Sequence, residues 1–321
     1  MTTGIIGTGS FLPQAIVTND YLSTIMDTSD EWIFSRTGIK ERRLVKEETT
    51  AQMSTQAAKN AIENAGILPE EIDLIIVGTI TGDYITPSTA CEVQAAIGAV
   101  NAMAFDINAA CTGFIAALHT AHMYIQSGVA KTALVIGAET LSKIMDWNDR
   151  STCVLFGDGA GAAIVQKSEQ GIIAFSQGSD GAKGMVLAGQ SRKNNNPLVN
   201  CGHTPDYIHM DGQEVYKFAL TQVPKCILET LDKANLQVDD IKYFVLHQAN
   251  SRILKAVAKR LGTTDDKFPI TLDLCGNISA ASIPITLDKI NRDGLLNPGD
   301  HIVLAGFGGG LTWGATVITI V

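Results

Sequence analysis

One pattern occurs twice in this chain, and a duplication of this kind restricts the fold more than any single motif does. The run Ile67-Leu68-Pro69-Glu70-Glu71-Ile72-Asp73-Leu74-Ile75-Ile76-Val77-Gly78 matches Leu236-Gln237-Val238-Asp239-Asp240-Ile241-Lys242-Tyr243-Phe244-Val245-Leu246-His247. In both, an acidic turn leads into a short apolar run that reads as a buried strand. Ile72 and Ile241 lie 169 positions apart, and the same offset sets Asn108 on Asn277 and Leu134-Val135-Ile136-Gly137 on Val303-Leu304-Ala305-Gly306. A further match, Gly161-Ala162-Ala163-Ile164 with Gly314-Ala315-Thr316-Val317, falls at an offset of 153, so the first half carries extra residues between its last two strands.

The repeat predicts two similar α/β units, 1–169 and 170–321, packed about a pseudo-twofold axis. Amphipathic helices are expected over 51–65 and 215–234, each before its acidic turn, and over Ser251–Leu261 after the second strand. Continuous apolar strands such as 74–77 fit a sheet covered on both faces. Residues 178–209, rich in Gly, Asn and Ser, read as a long loop early in the second half, and long loops often border an active site.

Composition narrows the function classes. With 321 residues, 45% hydrophobic and 18% charged, the chain can bury a large core, and its net charge of −9 argues against a general nucleic-acid binder. The six cysteines show no C-x-x-C pairs and no nearby His clusters, so neither a disulfide framework nor a metal site is expected. No basic leader and no run of about 18 apolar residues occurs, so a cytoplasmic protein without a membrane span is the default expectation.

Three residues could carry chemistry. Cys111 sits in Asp106-Ile107-Asn108-Ala109-Ala110-Cys111-Thr112-Gly113-Phe114, where a strand feeds a helical pattern. A thiol at a helix start is favoured as thiolate and can attack a carbonyl, although a lone cysteine is more often a core residue. His247 closes an apolar strand, where histidine is more often structural, and Asn277 follows Gly276, ordinarily a turn or cap position. Duplication sets these residues at corresponding strand ends, so the three can converge where the halves meet. The helix starting near Asn250 carries Arg252, Lys255, Lys259 and Arg260 and no acidic residue; it is either a solvated face or a docking face for an acidic partner.

The order Cys111, His247, Asn277 occurs with Gly306-Phe307-Gly308-Gly309-Gly310-Leu311-Thr312-Trp313-Gly314 near the end. Asp27-Thr28-Ser29-Asp30-Glu31-Trp32-Ile33-x-x-Arg36-Thr37-Gly38-Ile39 stands near the start. Across essentially its whole length the chain resembles the β-ketoacyl-acyl-carrier-protein synthase III family, the initiating condensing enzymes of bacterial fatty-acid synthesis. The resemblance implies a thiolase-like fold with duplicated halves layered αβαβα. It implies an acyl-Cys111 intermediate formed from acyl-CoA and condensed with malonyl carrier protein, the thiolate being favoured by the helix terminus and the neighbouring imidazole. It assigns the oxyanion donors to the amides of Cys111 and Gly309, and enolate stabilisation to His247 and Asn277.

For CoA the resemblance implies Thr28, Trp32, Arg36, Thr37, Arg150 and Asn250, with acyl-CoA a substrate and no cofactor. For the carrier protein it implies Lys217, Gln248, Arg252, Lys255, Lys259 and Arg260. At the gate of the acyl pocket many relatives carry Phe, whereas this chain has Thr86 before Pro87, and the loop there implies a homodimer. Three other readings stand beside this one. A secondary-metabolite ketosynthase or acyltransferase would share the fold, and a catalytically silent carrier-binding module would lack the chemistry. A nucleotide-dependent oxidoreductase is suggested weakly by Gly157-Asp158-Gly159-Ala160-Gly161 and Gly7-Thr8-Gly9, neither of which completes Gly-x-Gly-x-x-Gly.

Overall fold

The structure is a computed structural model, and it describes residues 1–191, 193–200 and 207–321. Strand β1 (Thr2–Phe11) leads to a hairpin of β2 (Ala15–Thr18) and β3 (Glu41–Leu44), between which lie α1 (Asn19–Ser23) and α2 (Asp30–Thr37). Then follow α3 (Thr50–Ala65), β4 (Leu74–Gly78), α4 (Thr89–Ile97), β5 (Met103–Ile107), α5 (Gly113–Gln126), β6 (Thr132–Thr140) and β7 (Asp158–Ser168). The second part begins with β8 (Ile172–Ser179) and four two-residue strands, β9 (Leu187–Ala188), β10 (Asn195–Asn196), β11 (Val199–Asn200) and β12 (His209–Met210). It continues through α6 (Gly212–Ala234), β13 (Tyr243–Leu246), α7 (Ser251–Leu261), α8 (Leu272–Cys275), α9 (Ser282–Arg292), β14 (His301–Gly308) and β15 (Thr312–Thr319).

Two sheets repeat one topology. The first runs β1-β7-β6-β4-β5 and the second β8-β15-β14-β13. In each, a parallel pair (β4 with β6, β13 with β14) is extended on one side by antiparallel neighbours, and in the first sheet β5 adds a second parallel pairing on the other side of β4. The correspondence breaks at β5: its offset partner falls on α8, a single helical turn, so the second sheet ends one strand sooner.

Burial explains the layering. Along β4 every side chain is buried, Leu74 and Ile76 packing with α5 and α9, and Ile75 and Val77 with α3 and α4. In the second sheet Val245 and Leu304 join the same central layer, while Phe244 and Val303 pack under α6 and α7. The result is helix, sheet, helix pair, sheet, helix, with both sheet faces covered as the apolar runs require. Helix α3 starts at Thr50 behind a Thr49–Gln52 capping box, and α6 starts at Gly212 behind Asp211. Both begin slightly before the apolar periodicity does, because caps and not apolar residues set helix starts.

At the centre the layers touch backbone to backbone. A Cβ on Gly78 would lie 2.5 Å from the Gly113 carbonyl carbon, and one on Gly137 would lie 2.2 Å from the Ala280 oxygen. Only glycine permits that approach, and it seats α5 and the turn before α9 against the first sheet.

Candidate active site

Cys111 lies in a 3-10 turn, Ala110–Thr112, just ahead of α5 rather than inside the helix. A twin turn, Ser279–Ala281, precedes α9 at the same offset of 169, and their first residues share an uncommon backbone, with φ 45 at Ala110 and 44 at Ser279. For residues other than glycine this left-handed conformation is strained, and such strain tends to persist at functional sites. The glycine-rich loop after β14 closes over the cysteine turn. Thr312 Oγ1 is 2.7 Å from Thr112 Oγ1 and donates to the Gly309 carbonyl at 2.8 Å. A Cβ on Gly308 would come within 2.6 Å of Cys111 Cβ, so glycine is required there.

His247 follows β13, its N–H donating to the Ala305 carbonyl at 2.8 Å, and its ring meets Phe307 edge-on at 5.1 Å. Nδ1 is buried with no hydrogen-bond partner among the described residues. Asn277 is tied by its backbone to the first half: its N–H donates to the Leu155 carbonyl (2.8 Å) and its carbonyl accepts from Gly157 (3.0 Å). Its side-chain Oδ1 accepts the Ser279 N–H at 2.9 Å, which fixes the amide and leaves its NH2 group uncommitted among the described residues. Cys111, His247 and Asn277 all line one cavity of about 690 Å³, together with Gly308 and Gly309.

The electrostatics differ from the expected ion pair. Burial pushes the Cys111 thiol up to about 11, against weaker lowering by the Ser279 hydroxyl and the Cys111 and Gly309 amides, while Glu139 adds to the rise. Burial likewise pushes the His247 imidazole down to about 3, the Ser279 backbone opposing. In the free pocket desolvation outweighs the helix terminus, and both groups are neutral.

Two residues that sequence reasoning passed over stand beside this set. Glu139, fully buried near the end of β6, accepts from Thr81 Oγ1 (2.5 Å), the Ile80 N–H (3.2 Å), Thr79 Oγ1 (3.3 Å) and Ser279 Oγ (3.2 Å). Ser279 thereby contacts Glu139 and Asn277. Among the described residues, the apolar cavity wall adds Ile80, Leu141, Ile144, Leu155, Phe156 and Leu187. Residues 184, 187–191 and 208 of the expected loop line it too, while 192 and 201–206 lie outside the described residues.

The remaining predicted residues are distributed as follows. The Arg36 and Arg150 guanidinium carbons lie 4.6 and 5.2 Å from the Trp32 ring centroid. Arg150 also bonds the Asp27 carbonyl and carboxylate. Thr28 Oγ1 is buried and unpartnered among the described residues, and Asn250 donates to the Arg36 carbonyl at 3.1 Å. Thr37 faces inward, its hydroxyl donating to the Ile33 carbonyl and accepting from Ile39. Gln248 is buried, with its amide bonded to Leu246, Pro269, Thr271 and Leu272. On α7, Ile253, Leu254 and Val257 pack inward, while Arg252, Lys255, Lys259 and Arg260 are exposed. Arg252 bonds the Ser35 carbonyl, Arg260 the Leu220 carbonyl, and Lys217 pairs with Glu214 at 2.7 Å. Lys255 and Lys259 have no partner among the described residues. Thr86 is exposed and does not line the cavity of its own chain.

A buried cysteine with His and Asn from the second half, set between duplicated sheets, defines an acyl-transferring enzyme of the thiolase-like fold. The family models described as 3-oxoacyl-[acyl-carrier-protein] synthase III and its C-terminal part match residues 105–181 and 231–320. A β-ketoacyl-[acyl-carrier-protein] synthase III of Clostridium botulinum is 53% identical over 317 residues, 98% of this chain and 97% of the relative. The crystal structure of 3-oxoacyl-[acyl-carrier-protein] synthase III from Aquifex aeolicus VF5 superposes with a TM-score of 0.93 at 48% identity, covering 99% of both chains. That of the priming β-ketosynthase from the R1128 polyketide pathway gives 0.93 at 36% identity, covering 99% of this chain and 96% of that one. The chain belongs to the β-ketoacyl-[acyl-carrier-protein] synthase III family.

Proposed function

We propose that the chain catalyses decarboxylative condensation of a short acyl-CoA primer with malonyl-acyl carrier protein, giving 3-oxoacyl-acyl carrier protein and initiating fatty-acid synthesis. The observation that carries the assignment of roles is the convergence of Cys111, His247 and Asn277 with Gly308 and Gly309 in one cavity. The Cys111 sulfur attacks the thioester, and the Cys111 and Gly309 amides serve as the oxyanion donors. CoA leaves. The malonyl thioester then loses CO2, and its enolate oxygen takes hydrogen bonds from the free Asn277 NH2 and from a neutral His247.

Trp32, Arg36 and Arg150 form a planar cationic stack suited to adenine and phosphate, with Thr28 and Asn250 beside it. Thr37 serves this surface from inside by bracing α2, and Gln248 serves the carrier-protein surface from inside by tying the segment before α7 to Pro269, Thr271 and Leu272. Lys255 and Lys259, with Arg252, Arg260 and Lys217, offer positive charge to an acidic carrier protein. We further read the chain as two halves divided at 169/170, as a cytoplasmic homodimer in which the exposed Thr86 loop reaches the partner's pocket, and as needing no cofactor. No helix among the described residues is long and apolar enough to cross a membrane.

The test is an intact-mass screen of the protein against a panel of acyl-CoA thioesters, then a challenge with malonyl carrier protein. Acyl mass on Cys111 that discharges into 3-oxoacyl carrier protein supports the reading. Acyl mass retained after Cys111→Ser, or stable to the challenge, overturns it. The likeness to the R1128 priming ketosynthase favours a second reading, polyketide priming, which the primer preference in the same screen separates.

A further inference from the structure

Arg42, on β3, is the bulkiest fully buried side chain among the described residues, and among them no carboxylate pairs with it. Its guanidinium directs its donors to three separate elements instead. Nη1 donates to the Val17 carbonyl on β2 at 3.0 Å, and Nη2 donates to Asn19 Oδ1 at 2.9 Å and to the Val154 carbonyl at 2.8 Å. Burial lowers the group to about 10, so it stays charged at neutral pH. An apolar side chain of similar volume would fill the same space with a smaller desolvation cost. What only a planar fork of donors supplies is the tie between the three elements.

The tie runs in two directions. Asn19 Nδ2 donates to Asp30 Oδ1 in the first turn of α2 (2.8 Å) and to the Ile39 carbonyl just past its end (2.7 Å). Through Asn19, Arg42 therefore holds both ends of the helix that carries Trp32 and Arg36. Val154 lies in the other direction. The next residue, Leu155, accepts the Asn277 N–H, Phe156 bridges Asn277, and Gly157 donates to the Asn277 carbonyl. A Cβ on Gly276 would lie 3.2 Å from the Arg42 Cβ and one on Gly157 3.4 Å, so the stem of Arg42 lies close against that bridge. Arg150, the second cation on the Trp32 ring, stands just upstream of Val154, in the turn where the Asp149 carbonyl accepts the Thr152 and Cys153 N–H groups.

We propose that Arg42 is a positioning residue for the condensation, fixing the Asn277 amide through segment 154–157 and tying it to the α2 side of the CoA stack. The proposal rests on the roles given above to Asn277 and to Trp32, Arg36 and Arg150. Arg42 itself does not line the cavity and touches no reacting atom. It acts through backbone: with Val154 held, Leu155 and Gly157 keep Asn277 in register, and the amide keeps its place in the cavity wall. Removing the guanidinium leaves the Val17 and Val154 carbonyls and Asn19 Oδ1 without that donor, and segment 154–157 loses its anchor.

Hydrogen exchange read by mass spectrometry on the full chain tests the placement without any substrate, so its outcome stands apart from the function reading. In Arg42→Met, peptides carrying the Gly157 and Asn277 amides should exchange about tenfold faster or more, while those carrying Cys111 and Thr112 change little. Arg42→Lys keeps the charge and loses the fork; it should show the same pattern at smaller amplitude, and it carries the test should Arg42→Met not fold. In kinetics, Arg42→Met should slow condensation from preformed acyl-enzyme by about 10- to 100-fold and leave acylation at saturating acyl-CoA within about threefold. Adding Asn277→Asp should slow condensation little further, since both changes act through one amide. Asp30→Ala, which cuts only the α2 branch, should raise the KM for acyl-CoA by about three- to tenfold and spare condensation from acyl-enzyme. Unchanged exchange at Gly157 and Asn277, equal losses in acylation and condensation, or an Arg42 effect that multiplies with that of Asn277→Asp each overturn the proposal. A KM untouched by Asp30→Ala overturns the tie to α2.

Discussion

The two turns that meet at the centre share a backbone and differ in nearly every side chain that matters. Ala110-Cys111-Thr112 stands against Ser279-Ala280-Ala281, and the same offset pairs His247 with Gly78 and Glu139 with Gly308. Apart from Asn277, each side chain placed in the site thus has a glycine or alanine at its twin position. On the side of Gly78 and Gly137 the small residues let backbone pack on backbone, and no room is left. On the side of Cys111 and His247 they open a cavity. Duplication supplied the frame twice, and the chemistry occupies one copy because the other was closed.

The largest test of this contrast makes the turns alike. Cys111→Ala should abolish acyl labelling and lower condensation by about 10³-fold or more while the fold survives, as intact mass and thermal melting would report. Label persisting elsewhere would break the comparison.

Asn277 and its twin Asn108 are identical, and both line the cavity. Asn277→Asp should cut condensation about 10²- to 10³-fold with acylation close to normal, and Asn108→Asp should do far less. Equal losses would mean that the asymmetry does not extend to these amides. Because His247 protonates only near 3, condensation from preformed acyl-enzyme should hold its rate as pH falls from about 8 through the ordinary histidine value of 6.5, with the imidazole neutral throughout. A fall centred on that value would show that the imidazole is not desolvated.

Ala280→Cys places a thiol in the closed twin. A Cβ on Gly113 would already be 3.0 Å from Ala280 Cβ, so the added sulfur should destabilise the fold by about 1 to 3 kcal/mol and acquire no acyl group. The smallest effect is expected at the rim. Lys255→Glu should raise the KM for malonyl carrier protein by about three- to tenfold at low salt and leave acyl-CoA unaffected. Lys255 is a cleaner probe than Arg252, whose guanidinium also bonds Ser35.

Much of the frame was legible because duplication and apolar periodicity act locally. The strands around Leu74–Gly78 and Tyr243–Leu246, the helix Ser251–Leu261 and the wall contributed by 184 and 187–191 could all be anticipated. The replacement of β5 by α8 could not, since the match at Asn277 says nothing of the residues before it. At the site, residue types pointed to Cys111, His247 and Asn277, but burial decided their charge, and burial is a property of the assembled layers. Glu139 in Ala138-Glu139-Thr140 reads like any acidic residue at a strand end, and only the threonines of a distant loop reveal a buried carboxyl. Gln248 illustrates the reverse: the resemblance implied a contact with the carrier protein, and four bonds to backbone groups turn it inward.

The backbone bonds from Leu155 and Gly157 to Asn277 have a consequence for how relatives can diverge. They stitch one half to the other beside the reacting atoms, so the chemical end of the cavity cannot widen without loosening the seam. The opposite wall, from 184 to 191 and around 208, hangs on short ribbons with few such ties. Drift in that wall would reshape the cavity while the seam beside the reacting atoms stayed closed, which makes it the natural place for one enzyme scaffold to acquire different diets.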